Sequence, residues 1–191
     1  SNIPGRPENL HKYNKVLKSL NTGCLLLQKN KCKFIVIPCN TAHYWYDDLQ
    51  RKIKIPIVSM PKEVYLHVKK NCKKNSKIGI LATEATLKTR VYNKFFDKNF
   101  TLINPTKSLQ IKSVNIAIKY IKMGKIKDAA KVIKPAINYL IKLKCNKIIL
   151  GCTELPIAIF AFKSLKKAKQ SKIFIDPNLL LAEVSMKKYK K

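Results

Sequence analysis

The chain has 191 residues, 46% of them hydrophobic, and a formal net charge of +30. That size and apolar content allow one substantial core or two small ones and exclude wholesale disorder, and no apolar run reaches the ~18 residues that a membrane-spanning helix needs. The charge invites a nucleic-acid reading, but all except Arg6, Arg51 and Arg90 of the 40 basic residues are lysines spread along the whole chain, without the arginines that read base edges.

Taken in order, residues 1–6 form a loop, and residues 7–30 carry Leu10, Tyr13, Leu17, Leu20, Cys24 and Leu27 at helical spacing. Residues 34–39 then read as a buried parallel strand that ends at Cys39, with Asn40 and Thr41 opening a helix. A short strand at 55–59 and a helix from Pro61 to about Lys73 follow. Residues 76–83 predict another buried strand, with a loop holding Thr83, Glu84 and Thr86 and a helix through Tyr92 and Phe95. A short strand at 100–104 precedes two helical stretches, 107–123 and 125–144, broken at Gly124 and kinked by Pro135. The strand ending at Cys152, a lysine-rich helix opened by Pro156, a strand at 173–176 and a C-terminal helix complete the chain. Strands alternating with helices predict parallel sheets in an α/β fold.

The order strand–Cys–helix–strand–Pro–helix occurs twice, around Cys39 and around Cys152, which points to an internal duplication. Two lobes follow: residues 1–75, with 178–191 packing back on them, and residues 76–177, facing each other across a cleft. The later half carries four strands and the earlier half two. Lys77 lies 75 residues before Cys152, whereas Ser1 lies 38 before Cys39. True repeats would therefore place roughly 40 further residues and two strands before Ser1, leaving the first lobe incomplete and the activity of this stretch in question.

Facing lobes would aim two thiols at one cleft. Such a pair suits inversion of a carbon acid: one thiolate removes a proton and the opposite thiol returns one to the other face. Helix starts favour thiolates, and Asn40, Thr41, Thr153 and neighbouring backbone N–H groups can hold a carboxylate and the charge that develops on it. No dinucleotide loop, phosphate-binding GK[ST] sequence, HExxH or other metal-ligand pattern is present, so neither cofactor nor metal is expected. Six cysteines without a CxxC pair fit free thiols in a reducing cytosol.

The segments Cys39-Asn40-Thr41-Ala42-His43, Gly151-Cys152-Thr153-Glu154-Leu155-Pro156 and Ile175-Asp176-Pro177 with Leu181-Ala182-Glu183 resemble those of the aspartate/glutamate racemase family, over essentially the whole chain. The resemblance implies two like-folded α/β lobes, a cofactor-independent reaction, a homodimer, and Cys39 and Cys152 as the acid–base pair. It further implies substrate-holding roles for Arg6, for Asn40, Thr41 and Ala42, for Thr83 and Thr86, and for Lys122, Thr153 and Glu154. Glu154, where glutamate racemases carry His, and His43, where they carry Ser or Thr, lean towards the aspartate branch. Gly5 stands where an acid usually precedes the arginine. The alternatives are a broad-specificity or hydantoin-type racemase, an inactive relic, and a basic protein that binds polyanions without specificity; no specific nucleic-acid or membrane partner is expected.

Other residues take plainer readings. Cys24, Cys32, Cys72 and Cys145 are expected to be structural, His11 and His67 ordinary helix residues, and Trp45-Tyr46 core or interface. His43 is expected either to support the site or to pack. Glu154 is expected either to orient Thr153 or contact the substrate's amino group, or simply to favour the helix dipole.

Overall fold

The computed structural model describes residues 3–161 and 172–190. The lysine-rich segment expected after Cys152 lies largely outside the described residues. The fold is α/β, with parallel sheets flanked by helices. In the first sheet, β1 (Ile35–Val36) pairs with β2 (Ile57–Val58); in the second, the order is β4-β3-β5-β6. These strands are β3 (Ser76–Ala82), β4 (Phe100–Ile103), β5 (Lys147–Gly151) and β6 (Phe174–Ile175), and every pairing is parallel.

The two cysteine motifs share a pairing register with the strand that follows each. β1 pairs last with β2 at Val36–Val58 and β5 pairs last with β6 at Ile149–Ile175, so each cysteine lies three residues beyond that pair, although on its other side β5 stays paired with β3 as far as Gly151. The flanking hydrogen bonds match too: Ile35 N donates to Pro56 O, and Ile148 N donates to Ile173 O. One residue after the second partner in each case, Ser59 and Asp176 cap a helix that carries a proline in its first turn. These helices are α3 (Met60–Asn71) and α10 (Pro177–Tyr189).

The surroundings of the two cysteine strands differ. β5 lies between β3 and β6 and is covered by α8 (Lys134–Lys142) and its neighbours; Ile148, Ile149 and Leu150 are fully buried. Among the described residues β1 pairs with β2 alone, and Val36 is 37% exposed. The buried strand expected over 34–39 is thus a two-residue ladder, half open. Pro38 has no N–H to donate, and Cys39 N turns back to Ile37 O. The first core is completed by α1 (Tyr13–Lys29), whose Val16, Leu17, Leu20 and Cys24 pack on Ile35, Trp45, Leu49 and Ile57. Leu27, expected on that face, is 42% exposed.

Helix α2 (Tyr46–Lys52) follows a 3₁₀ turn, Thr41–Trp45. Helix α4 (Glu84–Lys88) is shorter than expected: Arg90 takes φ 52° and the chain continues as turns, burying Tyr92 completely. α5 (Lys107–Leu109) runs through a π-helical stretch, Gln110–Asn115, into α6 (Ile116–Lys122). Gly124, at φ 74°, ends this run, a conformation that glycine adopts without a Cβ clash. Pro135 opens α8 and divides it from α7 (Ile126–Val132), because proline supplies no N–H to an interior helical bond. α9 (Leu155–Phe160) begins with Pro156 in its first turn, as expected. α10 returns to the first sheet, where Leu181 packs on Val58 and Met60.

Candidate active site

The loops beyond the C-terminal ends of β1, β3 and β5 meet at a cavity of about 170 Å³, at the sheet edge where open α/β folds hold ligands. Both cysteines line it, with Arg6, Asn40, Thr41, Thr83, Lys122, Thr153 and Glu154. Two expected site residues do not line it. Ala42 is fully buried in the first core, because the 3₁₀ turn after Cys39 points its methyl inward. Thr86 is 1% exposed and bonds instead to the hydroxyls of Thr41 (2.8 Å) and Thr83 (3.0 Å). Thr83 also caps α4 by accepting from Thr86 N.

These threonines join the Cys39 loop to the end of β3. A second tie is made by Tyr92, whose buried hydroxyl donates to Asn40 Oδ1. Burial raises the Tyr92 pKa well above the tyrosine range, so the phenol stays a donor. The bond fixes which way the Asn40 amide faces. Asn40 is 3% exposed, and its buried Nδ2 has no partner among the described residues. An unpaired buried donor beside a cavity is costly unless a ligand accepts from it.

His43 anchors the same loop from behind. Its Nε2 accepts from Met60 N at 3.0 Å, which leaves Nδ1 to donate to Cys39 O at 2.9 Å. Burial lowers its pKa to about 4, against hydrogen bonds that act the other way. A neutral imidazole therefore ties Cys39 to the start of α3.

The two thiols sit in unlike settings. Cys39 is half-buried, and Arg6 Nε donates to its sulfur at 3.4 Å, a bond that strengthens as sulfur gains negative charge. Cys152 is buried and donates to Glu154 Oε2 at 3.0 Å; the same oxygen accepts from Thr153 Oγ1 at 2.9 Å. Burial first, then the Glu154 bond and charge, push the Cys152 pKa far above the usual thiol range. Burial would raise Glu154 as well, but the bonds from Cys152 and Thr153 outweigh it and hold the carboxyl below its ordinary value. Cys152 is thus a protonated thiol facing an ionised carboxylate. At Gly151 an added Cβ would lie 3.0 Å from that of Ala82 and 3.4 Å from the Tyr92 ring, so glycine lets β5 deliver Cys152 close to β3.

The arrangement offers a protonated acid, a sulfur beside a cation, two cationic side chains and a set of hydroxyl and amide donors. It can hold a small carboxylate and move protons. A search of protein-family models matches residues 1–184 to Asp/Glu/Hydantoin racemase. The chain belongs to this family. It is 26% identical over 143 residues to the broad specificity amino-acid racemase RacX of Bacillus subtilis, covering 75% of this chain and 61% of RacX. It is 33% identical over 136 residues to a glutamate racemase of Sulfurihydrogenibium, covering 69% and 50%. Among solved structures, the Picrophilus torridus aspartate racemase superposes with a TM-score of 0.78 at 27% identity, covering 97% of this chain and 75% of that one. The chain therefore spans about half to three-fifths of the curated racemases RacX and glutamate racemase that it matches.

Several residues of the cavity escaped the sequence reading. Gly5, Pro7, Glu8 and Gly151 line it, and Tyr92 sets one of its donors. Only Gly151, next to Cys152, carried a local signal. Glu8 and Tyr92 gain their places through loop geometry that no periodic pattern encodes. Among the described residues no cluster of His, Cys, Asp and Glu fit to hold a metal ion occurs, and no helix is long and apolar enough to cross a membrane.

Proposed function

We propose that this protein is an amino-acid racemase acting on aspartate, inverting the α-carbon by proton transfer between Cys39 and Cys152 without a cofactor. The observation that carries this reading is the single small cavity walled by both thiols, Arg6 and Lys122. In one direction Cys39, as thiolate, takes the α-proton from one face, and the Cys152 thiol delivers its own proton to the other. The electron pair of the broken C–H bond rests on the substrate carboxylate as an enediolate until reprotonation. This reading assigns Asn40 Nδ2 and the hydroxyls of Thr41 and Thr83 as the donors to that carboxylate, and donors set in advance lower the barrier most. The forward step leaves Cys39 as the thiol and Cys152 as the thiolate, and the reverse direction runs from that state with the two roles exchanged.

Two cations, Arg6 and Lys122, match the two carboxylates of aspartate, and 170 Å³ suits a small substrate. The similarity to RacX supports a second reading, in which several amino acids are accepted. By analogy with the family the protein is expected to work as a cytoplasmic homodimer. The reading is tested by incubating the purified chain with L-aspartate in D₂O and following both chirality and α-deuteration. Deuterated D-aspartate is expected; L-aspartate recovered unlabelled and uninverted would contradict it. Comparing rates for aspartate, glutamate and alanine separates the specific reading from the broad one.

A further inference from the structure

The cavity continues outwards into a more open hollow of about 370 Å³ lined by Pro7, Glu8, Thr83, Asn115, Ile118, Lys119, Lys122 and Met123. Glu8 lines both spaces and so stands at their junction. Its position depends on Gly5. A Cβ built on Gly5 would lie 2.4 Å from Glu8 Oε2 and 3.3 Å from its carboxyl carbon. The Glu8 carboxylate thus occupies the space that a side chain at position 5 would fill.

The charges around the cavity divide in an informative way. Arg6 and Lys122 are cationic; Glu8 and Glu154 are anionic. Glu154 is already engaged, accepting from the Cys152 thiol and the Thr153 hydroxyl. No hydrogen bond or ion pair engages the Glu8 carboxylate among the described residues. An α-amino dicarboxylic acid carries two negative groups and one positive group. Two wall cations and one unengaged wall anion mirror that pattern, and the unpartnered Asn40 Nδ2 marks the inner wall as the carboxylate side.

We propose that Glu8 is the residue that recognises the substrate's ammonium group, and that Gly5 leaves free the space its carboxylate occupies, so that a side chain there would shift the carboxylate. The inference rests on the racemase reading and assigns its amino-group contact. An ammonium held by a carboxylate at the mouth fixes the α-carbon at three points, and three points are what place the C–H bond in line with a thiol on each side. It also makes the site select amino acids over plain dicarboxylates, since an unpaired Glu8 repels a ligand that lacks a positive charge.

The test compares two ligands on the whole chain by calorimetry: L-aspartate, and succinate, the same dicarboxylate without an ammonium group. Glu8→Gln is expected to weaken L-aspartate binding about tenfold while leaving succinate unchanged or tighter. Gly5→Ala should shift the two ligands in the same directions, because it moves the carboxylate without removing it. Loss of both ligands in equal proportion, or of neither, overturns the assignment. The α-proton exchange of the wild-type chain is measured alongside. Aspartate binding without exchange counts against the racemase reading alone, exchange with unaltered selectivity in Glu8→Gln counts against Glu8 alone, and failure of the wild type to bind either ligand overturns both.

Discussion

The neighbourhoods of Cys39 and Cys152 share a backbone and differ in everything that touches sulfur. Each cysteine lies three residues beyond the last pair that its strand makes with the strand following it, each of those following strands leads into a capped helix, and each loop opens on the same cavity. Yet Cys152 is buried just beyond the end of a strand in a four-stranded sheet and is bonded to a carboxylate, while Cys39 leaves a two-stranded ladder and lies beside a guanidinium. In the proposed mechanism the shared scaffold sets the two thiols on opposite sides of the reacting carbon. In that mechanism the unlike partners divide the two thiols into a donor and an acceptor, the same environmental division of labour by which paired acids elsewhere take opposite roles.

The comparison is broken most severely by removing either sulfur. Cys39→Ala and Cys152→Ala should each lower racemisation by about 10³-fold or more, since each thiol serves one face and no other group replaces it. Near wild-type rate in either variant, measured by polarimetry, would end the two-base account.

A smaller break comes from Glu154→Gln. The carboxylate contributes a hydrogen bond and a negative charge to the raised Cys152 pKa. Without them burial alone holds the thiol up, and its titration midpoint should fall, seen as ultraviolet thiolate absorbance appearing at lower pH. The rate should drop by about 10- to 100-fold, because Cys152 would be held less firmly as the protonated acid that serves the second face. An unmoved midpoint would show that burial accounts for the whole shift.

On the Cys39 side the sharpest handle is His43. Its folded pKa, about 4, lies below the unfolded value of 6.5. Between those values the unfolded chain binds the extra proton, so the neutral imidazole's contribution is complete above pH 6.5 and is lost as pH falls towards 4. The loss should reach about 3 kcal/mol. His43→Gln should flatten that part of the stability–pH profile; a profile identical to wild type would mean that His43 is not buried neutral. Tyr92→Phe should act more mildly. With the Asn40 amide no longer held, KM should rise about 3- to 10-fold, with kcat changed less.

The parts of this comparison that could be read from the sequence were those carried by periodic or contiguous patterns. Apolar runs ending in Cys39 and Cys152, with Asn-Thr and Thr-Glu after them, located both thiols, the strands and the parallel sheets. What was missed depends on contacts between distant loops. The length of β1 is set by Pro38 and by which neighbours pair with it, and neither is visible in the run Phe34-Ile35-Val36-Ile37. The local sequence around Tyr92 predicts helix, because the positive φ of Arg90, which turns it inward, has no marker there. Ala42 and Thr86 were drawn into the site by their motifs, but the 3₁₀ turn and the cap of α4 direct them elsewhere. Glu8 became visible only once its carboxylate was seen above Gly5.

The least effect is expected from the charge. Three surface ion pairs occur among the described residues, Arg51–Asp48, Lys88–Glu84 and Lys94–Asp47, and the excess of lysine has few carboxylates to meet. DNA binding should be weak, indifferent to sequence and abolished as salt rises through the physiological range. Tight, sequence-selective binding would reopen a nucleic-acid role.

The most direct test of the division between the two thiols uses single Cys→Ser variants with each enantiomer of an aspartate bearing a leaving group at the β-carbon. Abstraction of the α-proton then expels the leaving group without needing the second thiol. Loss of racemisation in both variants, with residual elimination from one enantiomer in Cys39→Ser and from the opposite enantiomer in Cys152→Ser, is the expected result. Elimination from both enantiomers by the same single variant would mean that one sulfur reaches both faces, and would contradict the two-sided site.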